Sequence, residues 1–275
     1  MKGDANRRNY KKNTGESKSK WEDTKHQLQN LKEKPIQQDL YDPFEKEKNN
    51  CTECDGSGWI IEEREDSQPI FKMCKCQQIE KAKRLWKASG INPEQSKQTF
   101  RNYIPYNDIT ELAKNTAIEY YKNFENIKDL RRNSIAFIGQ VGSGKTHLSI
   151  ALAVNFLEIK KIPVVYMPYR DVVTSIKQNM LDKEYYIKQL SKYQLAKILL
   201  IDDLFKGKVT ESDINIMFEI INYRYLNYLP IIVSSEFAAD TLLNFDEGVG
   251  SRIIEMAKDY TVEITGKENN YRLRA

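Results

Sequence analysis

Eight consecutive residues, Gly139-Gln140-Val141-Gly142-Ser143-Gly144-Lys145-Thr146, have the types and order needed to hold a chain of phosphates. Glycines let backbone N–H groups turn inward and approach the β-phosphate, while Lys145 reaches the β- and γ-phosphates. The Thr146 hydroxyl is a ligand for Mg²⁺. A helix starting near Gly144 points its positive end at the anion. The loop falls between an apolar run and a helical stretch, which is the context it requires. ATP and Mg²⁺ are therefore the expected ligands.

Two acids form the second element. Ile198-Leu199-Leu200-Ile201-Asp202-Asp203 is an apolar run ending in adjacent carboxylates. This strand is expected beside the P-loop strand, with Asp202 suited to Mg²⁺ and Asp203 suited to orienting the attacking water. Ser234 and Ser235 end the next apolar run, IIVSS. A polar residue there suits holding water or sensing the γ-phosphate, and suits capping a turn equally well. Arg252, in GVGSRIIEM, is either a solvated surface residue or an arginine finger that reaches a neighbouring subunit's nucleotide.

The third group is sulfur. The chain has four cysteines, Cys51, Cys54, Cys74 and Cys76, and none in the last 199 residues. CxxC followed by CxC places four thiolates in two close pairs, which suits tetrahedral Zn²⁺. The second spacing is tighter than the usual CxxC, and four free thiols are the other reading. Gly56 and Gly58 allow a tight fold around the first pair. Trp59, Ile60, Ile61, Ile70 and Phe71 are expected to supply a small hairpin core. So small a unit needs metal to fold.

These groups must be positioned by elements. The chain has 275 residues, 43 basic and 39 acidic, for a net charge of +4. Residues 1–50 hold 12 basic and 9 acidic side chains and few apolar ones, so they read as a solvated arm with a weak helix over 21–40. Any nucleic-acid contact must therefore come from a local patch. No stretch approaches the ~20 apolar residues that span a bilayer. The N-terminus lacks the apolar segment of a secretory signal, so a cytoplasmic protein is expected.

Apolar runs at 134–138, 163–167, 197–202, 230–235 and 260–265 read as buried strands. Helical periodicity separates them: from 108, over 144–160, near 170–180 and 183–194, over 211–228, and in short pieces near 238–244 and 250–257. On the 211–228 helix, Ile214, Met217, Phe218, Ile221 and Tyr225 form the expected inward face. Residues 78–89 read as a short basic helix. This alternation implies an α/β fold with a parallel five-stranded sheet covered on both faces.

The set GQVGSGKT, ILLIDD, IIVSSE, GSRIIEM and NNYRLR resembles the DnaC/DnaI-type replicative helicase loaders, AAA+ ATPases related to IstB-type transposition helpers. The resemblance covers residues 86–275. It implies phosphate and Mg²⁺ contacts for Lys145 and Thr146, a second acidic motif at Asp202-Asp203, and the sensor-1 position at Ser235. It implies an arginine finger at Arg252 and the sensor-2 arginine at Arg272. Asp203 stands where many AAA+ proteins have Glu, and Ser235 where Asn is usual. A zinc-bearing N-terminal region of similar kind contacts the hexameric helicase in DnaI-type loaders.

The expected organisation is a basic arm over 1–50, a zinc module for helicase recognition over 51–85 and an AAA+ domain over 86–275. The expected function is ATP-dependent placement of a replicative DNA helicase on single-stranded DNA, as a homo-oligomer or a loader–helicase complex without membrane contact. Lys177, Lys183, Lys188 and Lys192 among Tyr185, Tyr186 and Tyr193 suit single-stranded DNA, and suit a solvated helix equally. The rival readings are an IstB-like transposition helper and a non-catalytic ATP-dependent scaffold.

Overall fold

The computed structural model describes residues 51–273, apart from 65–66, 89–90 and 94–95. The expected arm lies outside the described residues. The first elements are an antiparallel hairpin, β1 (Trp59–Arg64) and β2 (Ser67–Met73), and helix α1 (Lys75–Ala88). Helix α2 (Asp108–Ile127) then leads into strand β3 (Ile135–Gly139), helix α3 (Lys145–Glu158) and strand β4 (Val164–Pro168). Helices α4 (Tyr169–Gln178) and α5 (Lys183–Gln194) precede β5 (Ile198–Leu204). Helix α6 (Glu211–Leu226), β6 (Ile231–Ser235), α7 (Ala239–Phe245), α8 (Glu247–Met256) and β7 (Thr261–Ile264) complete the series.

The five later strands form one parallel sheet in the order β4-β5-β6-β3-β7. All five expected strands are present. The position of β5 corrects one expectation: β6 lies between it and the P-loop strand β3, so the acids lie one strand further away. They still reach the loop: at a register shift between Ile201 and Leu204, Asp202 accepts from the Thr146 hydroxyl at 2.8 Å.

Side chains alternate through the sheet, and both faces are buried. Phe137, Leu200, Ile232 and Ile264 join α2 and α3 on one side. Ala136, Ile138, Leu199, Ile201 and Val233 join the α4–α8 side. This is why each strand reads as continuously apolar. Helix α2 opens with a capping box in which Asn107 Oδ1 accepts from the Thr110 N–H at 3.1 Å.

Two packing expectations need correction. On α6 the inward face is Ile216, Met217, Ile220, Ile221 and Arg224; Ile214 and Tyr225 are half-buried and Phe218 is exposed. Phe218 and Tyr225 instead lie beneath the guanidinium of Arg252 on α8. In the hairpin, Trp59 pairs with Met73 and Ile61 with Phe71. These four side chains are 42–62% exposed, so they form an outer face and not a core.

Arg224 is fully buried, and its guanidinium donates to four carbonyls: Tyr193 (2.9 Å), Gln194 (3.0 Å), Ala196 (2.9 Å) and Pro230 (2.6 Å). It ties the end of α5 to the starts of β5 and β6. Burial pulls its pKa down to about 9. Arg224→Met leaves those carbonyls without their donor, at ~1–3 kcal/mol each where no water replaces it. A loss of about 3 kcal/mol or more is expected in urea unfolding, with an unchanged denaturant slope.

Candidate nucleotide-binding site

The site lies at the carboxyl ends of β3 and β5. Gly139, Gly142 and Gly144 all have φ between 73° and 99°. At Gly144 a Cβ would lie 2.7 Å from the Tyr103 ring, so only glycine fits. No side chain caps the first turn of α3, which leaves its amides for an anion.

Lys145 folds back onto its own loop, donating to the carbonyls of Gly139 (2.9 Å) and Gln140 (2.5 Å). Burial lowers its pKa to about 8, and the carboxylates of Glu236 and Asp203 oppose that fall. A bound phosphate would replace the two carbonyls and favour the charged ammonium further. Thr146 Oγ1 donates to Asp202 Oδ1 at 2.8 Å. The same oxygen accepts from Ser234 Oγ at 2.5 Å, and Asp202 Oδ2 accepts from Tyr166 OH at 3.3 Å. Burial raises the pKa of Asp202, while the Ser234 and Thr146 bonds favour its charged form. Thr146 and Asp202 are thus the pair that could hold Mg²⁺.

Asp203 lines the cleft with its backbone at φ 56°, and its N–H donates to Ser234 Oγ at 2.8 Å. Ser234, not Ser235, therefore meets both acids. Ser235 is turned the other way, with its hydroxyl donating to the Leu204 carbonyl at 2.9 Å. Arg272 lines the cleft, whereas Arg252 lies on the α6–α8 surface and is not among the lining residues.

The cleft has a volume of about 450 Å³. Sequence reasoning missed the part of the lining that packs against the phosphate loop from the segment before α2 and from residues near 271. Asn102, Tyr103, Ile104, Tyr106 and Tyr271 lie there. The rings of Tyr106 and Tyr271 are 6.0 Å apart, and Tyr106 OH donates to the Asn269 carbonyl at 2.7 Å. The Tyr271 N–H donates to the Gly142 carbonyl at 3.1 Å, which fastens the C-terminal segment to the phosphate loop.

The four cysteine sulfurs lie within 4.8 Å of one another. Cys51 and Cys74 are 3.7 Å apart, and Cys54 and Cys76 are 3.5 Å apart. Tetrahedral Zn²⁺ with ~2.3 Å Zn–S bonds sets sulfur separations near ~3.8 Å, so the cluster fits that ion. Burial raises the Cys54 thiol, but the Gly58 N–H and the neighbouring sulfurs outweigh it and bring the pKa to about 7. Helix α1 starts at this cluster and ends in the core. There Lys83 pairs with Glu158 at 2.9 Å, and the Trp86 indole donates to the Val164 carbonyl at 2.8 Å.

In the α4–α5 region the tyrosines have partners within the fold. Tyr193 is buried, Tyr185 bonds Ser175 at 2.8 Å and Tyr186 bonds Glu219 at 2.8 Å. Lys177 pairs with Asp213 at 2.6 Å. Lys183 and Lys188 remain exposed. Among the described residues, no helix is long and apolar enough to cross a membrane.

A parallel five-stranded sheet with a phosphate loop after β3 and paired acids near the carboxyl end of β5 defines an AAA+ ATPase. Residues 93–274 match the family described as IstB-like ATP binding protein, and the chain belongs to that family. Protein YqaM of Bacillus subtilis (strain 168) is 40% identical over 232 residues, covering 81% of this chain and 71% of that protein. Protein XkdC of the phage-like element PBSX, from the same organism, is 36% identical over 257 residues, covering 88% and 91%. The crystal structure of the DnaC helicase loader has a TM-score of 0.54 at 25% identity, covering 66% of this chain and 99% of that chain.

Proposed function

We propose that the protein is an ATP-dependent loader that binds a hexameric replicative DNA helicase and places it on single-stranded DNA. The observation that carries this reading is the pairing of two parts. One is an ATPase core that spans nearly the whole of a helicase loader. The other is an appended cysteine module whose hairpin presents Trp59, Ile61, Phe71 and Met73 to solvent. Contiguous exposed apolar side chains of this kind mark interaction surfaces. In this reading Cys51, Cys54, Cys74 and Cys76 hold Zn²⁺, which fixes the hairpin and does no chemistry. Lys145 and Arg272 bind the ATP phosphates, and Asp203 orients the attacking water. Ser234, bonded to the Asp202 carboxylate and to the Asp203 backbone N–H, takes the sensing role first assigned to Ser235.

Relatives named as ATP-binding proteins of insertion sequences, such as that of IS21 from Pseudomonas aeruginosa at 25% identity over 186 residues, support a second reading, an IstB-like helper that couples ATP to a transposase. Gel filtration of the full chain with the host's helicase, and separately with a transposase, distinguishes the two. Co-elution with the helicase is expected in ATP, and a Trp59→Ala, Phe71→Ala double variant should lose it by tenfold or more, ~1.4 kcal/mol. Co-elution with the transposase alone would replace the loader reading. Because the tyrosines of α4–α5 have partners within the fold, DNA contact would rest on Lys183 and Lys188. Such binding weakens steeply with salt.

A further inference from the structure

Lys206 stands four positions past Asp202, in the segment Asp203-Leu204-Phe205-Lys206-Gly207. None of the motifs above gives it a role, yet the local backbone is built to aim it. Two residues of this segment that carry side chains, Asp203 (φ 56°) and Phe205 (φ 61°), adopt left-handed conformations. Each is strained for a residue with a side chain and persists only where its surroundings over-determine it. Phe205 is fully buried, with the rings of Tyr169, Phe237 and Phe245 at 5.7, 6.3 and 4.9 Å. The Lys206 N–H closes the turn on the Asp203 carbonyl at 3.1 Å. The chain therefore doubles back and sends the Lys206 side chain into the nucleotide cleft.

There the ammonium bridges two carboxylates, Asp203 Oδ2 at 2.8 Å and Glu236 Oε1 at 3.2 Å. The three side chains are 28–41% exposed, so the contacts are open to exchange. Lys145 lies within electrostatic range of all three. Lys145, Lys206 and Arg272 thus balance Asp202, Asp203 and Glu236.

We propose that Lys206 is a γ-phosphate ligand held in reserve: it sits on Asp203 and Glu236 and moves to the terminal phosphate of ATP when that nucleotide binds. The exchange has two consequences. It adds a further cation at the terminal phosphate, alongside Lys145 and Arg272. It also frees Asp203 to accept a hydrogen bond from the attacking water, so the acid is released only when a γ-phosphate is present. ADP, lacking that group, leaves Lys206 on the carboxylates. The inference rests on the ATP-binding reading and adds to it a means of telling ATP from ADP.

The test is calorimetric titration of the full chain with ADP and with a non-hydrolysable ATP analogue, each with Mg²⁺. Lys206→Met should weaken analogue binding about tenfold or more, while ADP affinity stays within about twofold of the parent's. Lys206→Arg should restore most of the difference. Glu236→Gln removes a competitor for the ammonium, so it should move analogue affinity the opposite way, upward. An analogue-to-ADP preference that is unchanged in Lys206→Met overturns the proposal. Should Lys206→Met fail to fold, an unchanged preference in Glu236→Gln overturns it instead. A parent chain that binds neither nucleotide would refute the ATP reading, which is a separate and recognisable outcome.

Discussion

Arg252→Ala is expected to bind ATP as the parent does and to hydrolyse it ~10³-fold more slowly, the lower end of what an arginine supplied across an interface contributes to phosphoryl transfer. Its side chain is held along the α6–α8 surface: Nη1 donates to the Gly248 carbonyl at 2.5 Å and Nε to Asn222 Oδ1 at 3.1 Å. The guanidinium carbon lies 5.0 Å from the Phe218 ring centroid. Stacking and two hydrogen bonds fix a cation that does not line its own chain's cleft. The proposed target is the γ-phosphate held by a neighbouring subunit's Lys145 and Thr146. Asp203→Asn should also be inactive, because it removes the carboxylate that orients water. A mixture of the two variants forms some interfaces with both halves intact, so hydrolysis should partly recover. Mixed oligomers as inactive as each variant alone would show that Arg252 does not act in trans.

The second large effect concerns the metal. Purified protein is expected to carry about one equivalent of Zn²⁺, and Cys54→Ser should lose it. Structural zinc contributes an apparent ~10–16 kcal/mol in small peptides, far more than this hairpin's own burial can supply. Amides of β1 and β2 should then lose their protection against hydrogen exchange. ATP affinity should stay within about twofold, because the P-loop is anchored by α3, Tyr103 and Tyr271. Metal-free parent protein with a protected hairpin would refute the assignment.

Much of the fold was legible because a sheet buried on both faces needs continuously apolar strands, and the phosphate loop marks one strand's end. The order of strands was not legible. Nothing local to ILLIDD says that IIVSS will lie between it and the P-loop strand. Facing was equally hidden where every residue is buried. In IIVSS both serines are inaccessible, so their types do not reveal which one meets Asp202. The hairpin misled for a related reason: Trp59, Ile60 and Ile61 are all apolar, and only the cross-strand register separates the outer face from the inner. Arg224 was missed because a buried guanidinium satisfied by carbonyls leaves no acidic partner to find. One wall of the cleft joins residues near 103 to residues near 271, and no pattern local to either segment announces that they meet beside the phosphate loop.

Helix α1 bears on how the two ends of the molecule exchange free energy. Its first turn contains Cys76, and near its other end the Trp86 ring lies 5.4 Å from that of Tyr166, whose hydroxyl bonds Asp202. Fourteen residues of helix span about 21 Å. If a partner docked on the hairpin tilted this rod, Trp86 would shift against the tyrosine that touches the proposed magnesium carboxylate. Thermodynamic linkage makes such a connection symmetric. If docking changes nucleotide affinity by some factor, nucleotide must change affinity for the docked partner by the same factor. The indole of Trp86, buried at the inner end of the rod, is positioned to register both events in its fluorescence.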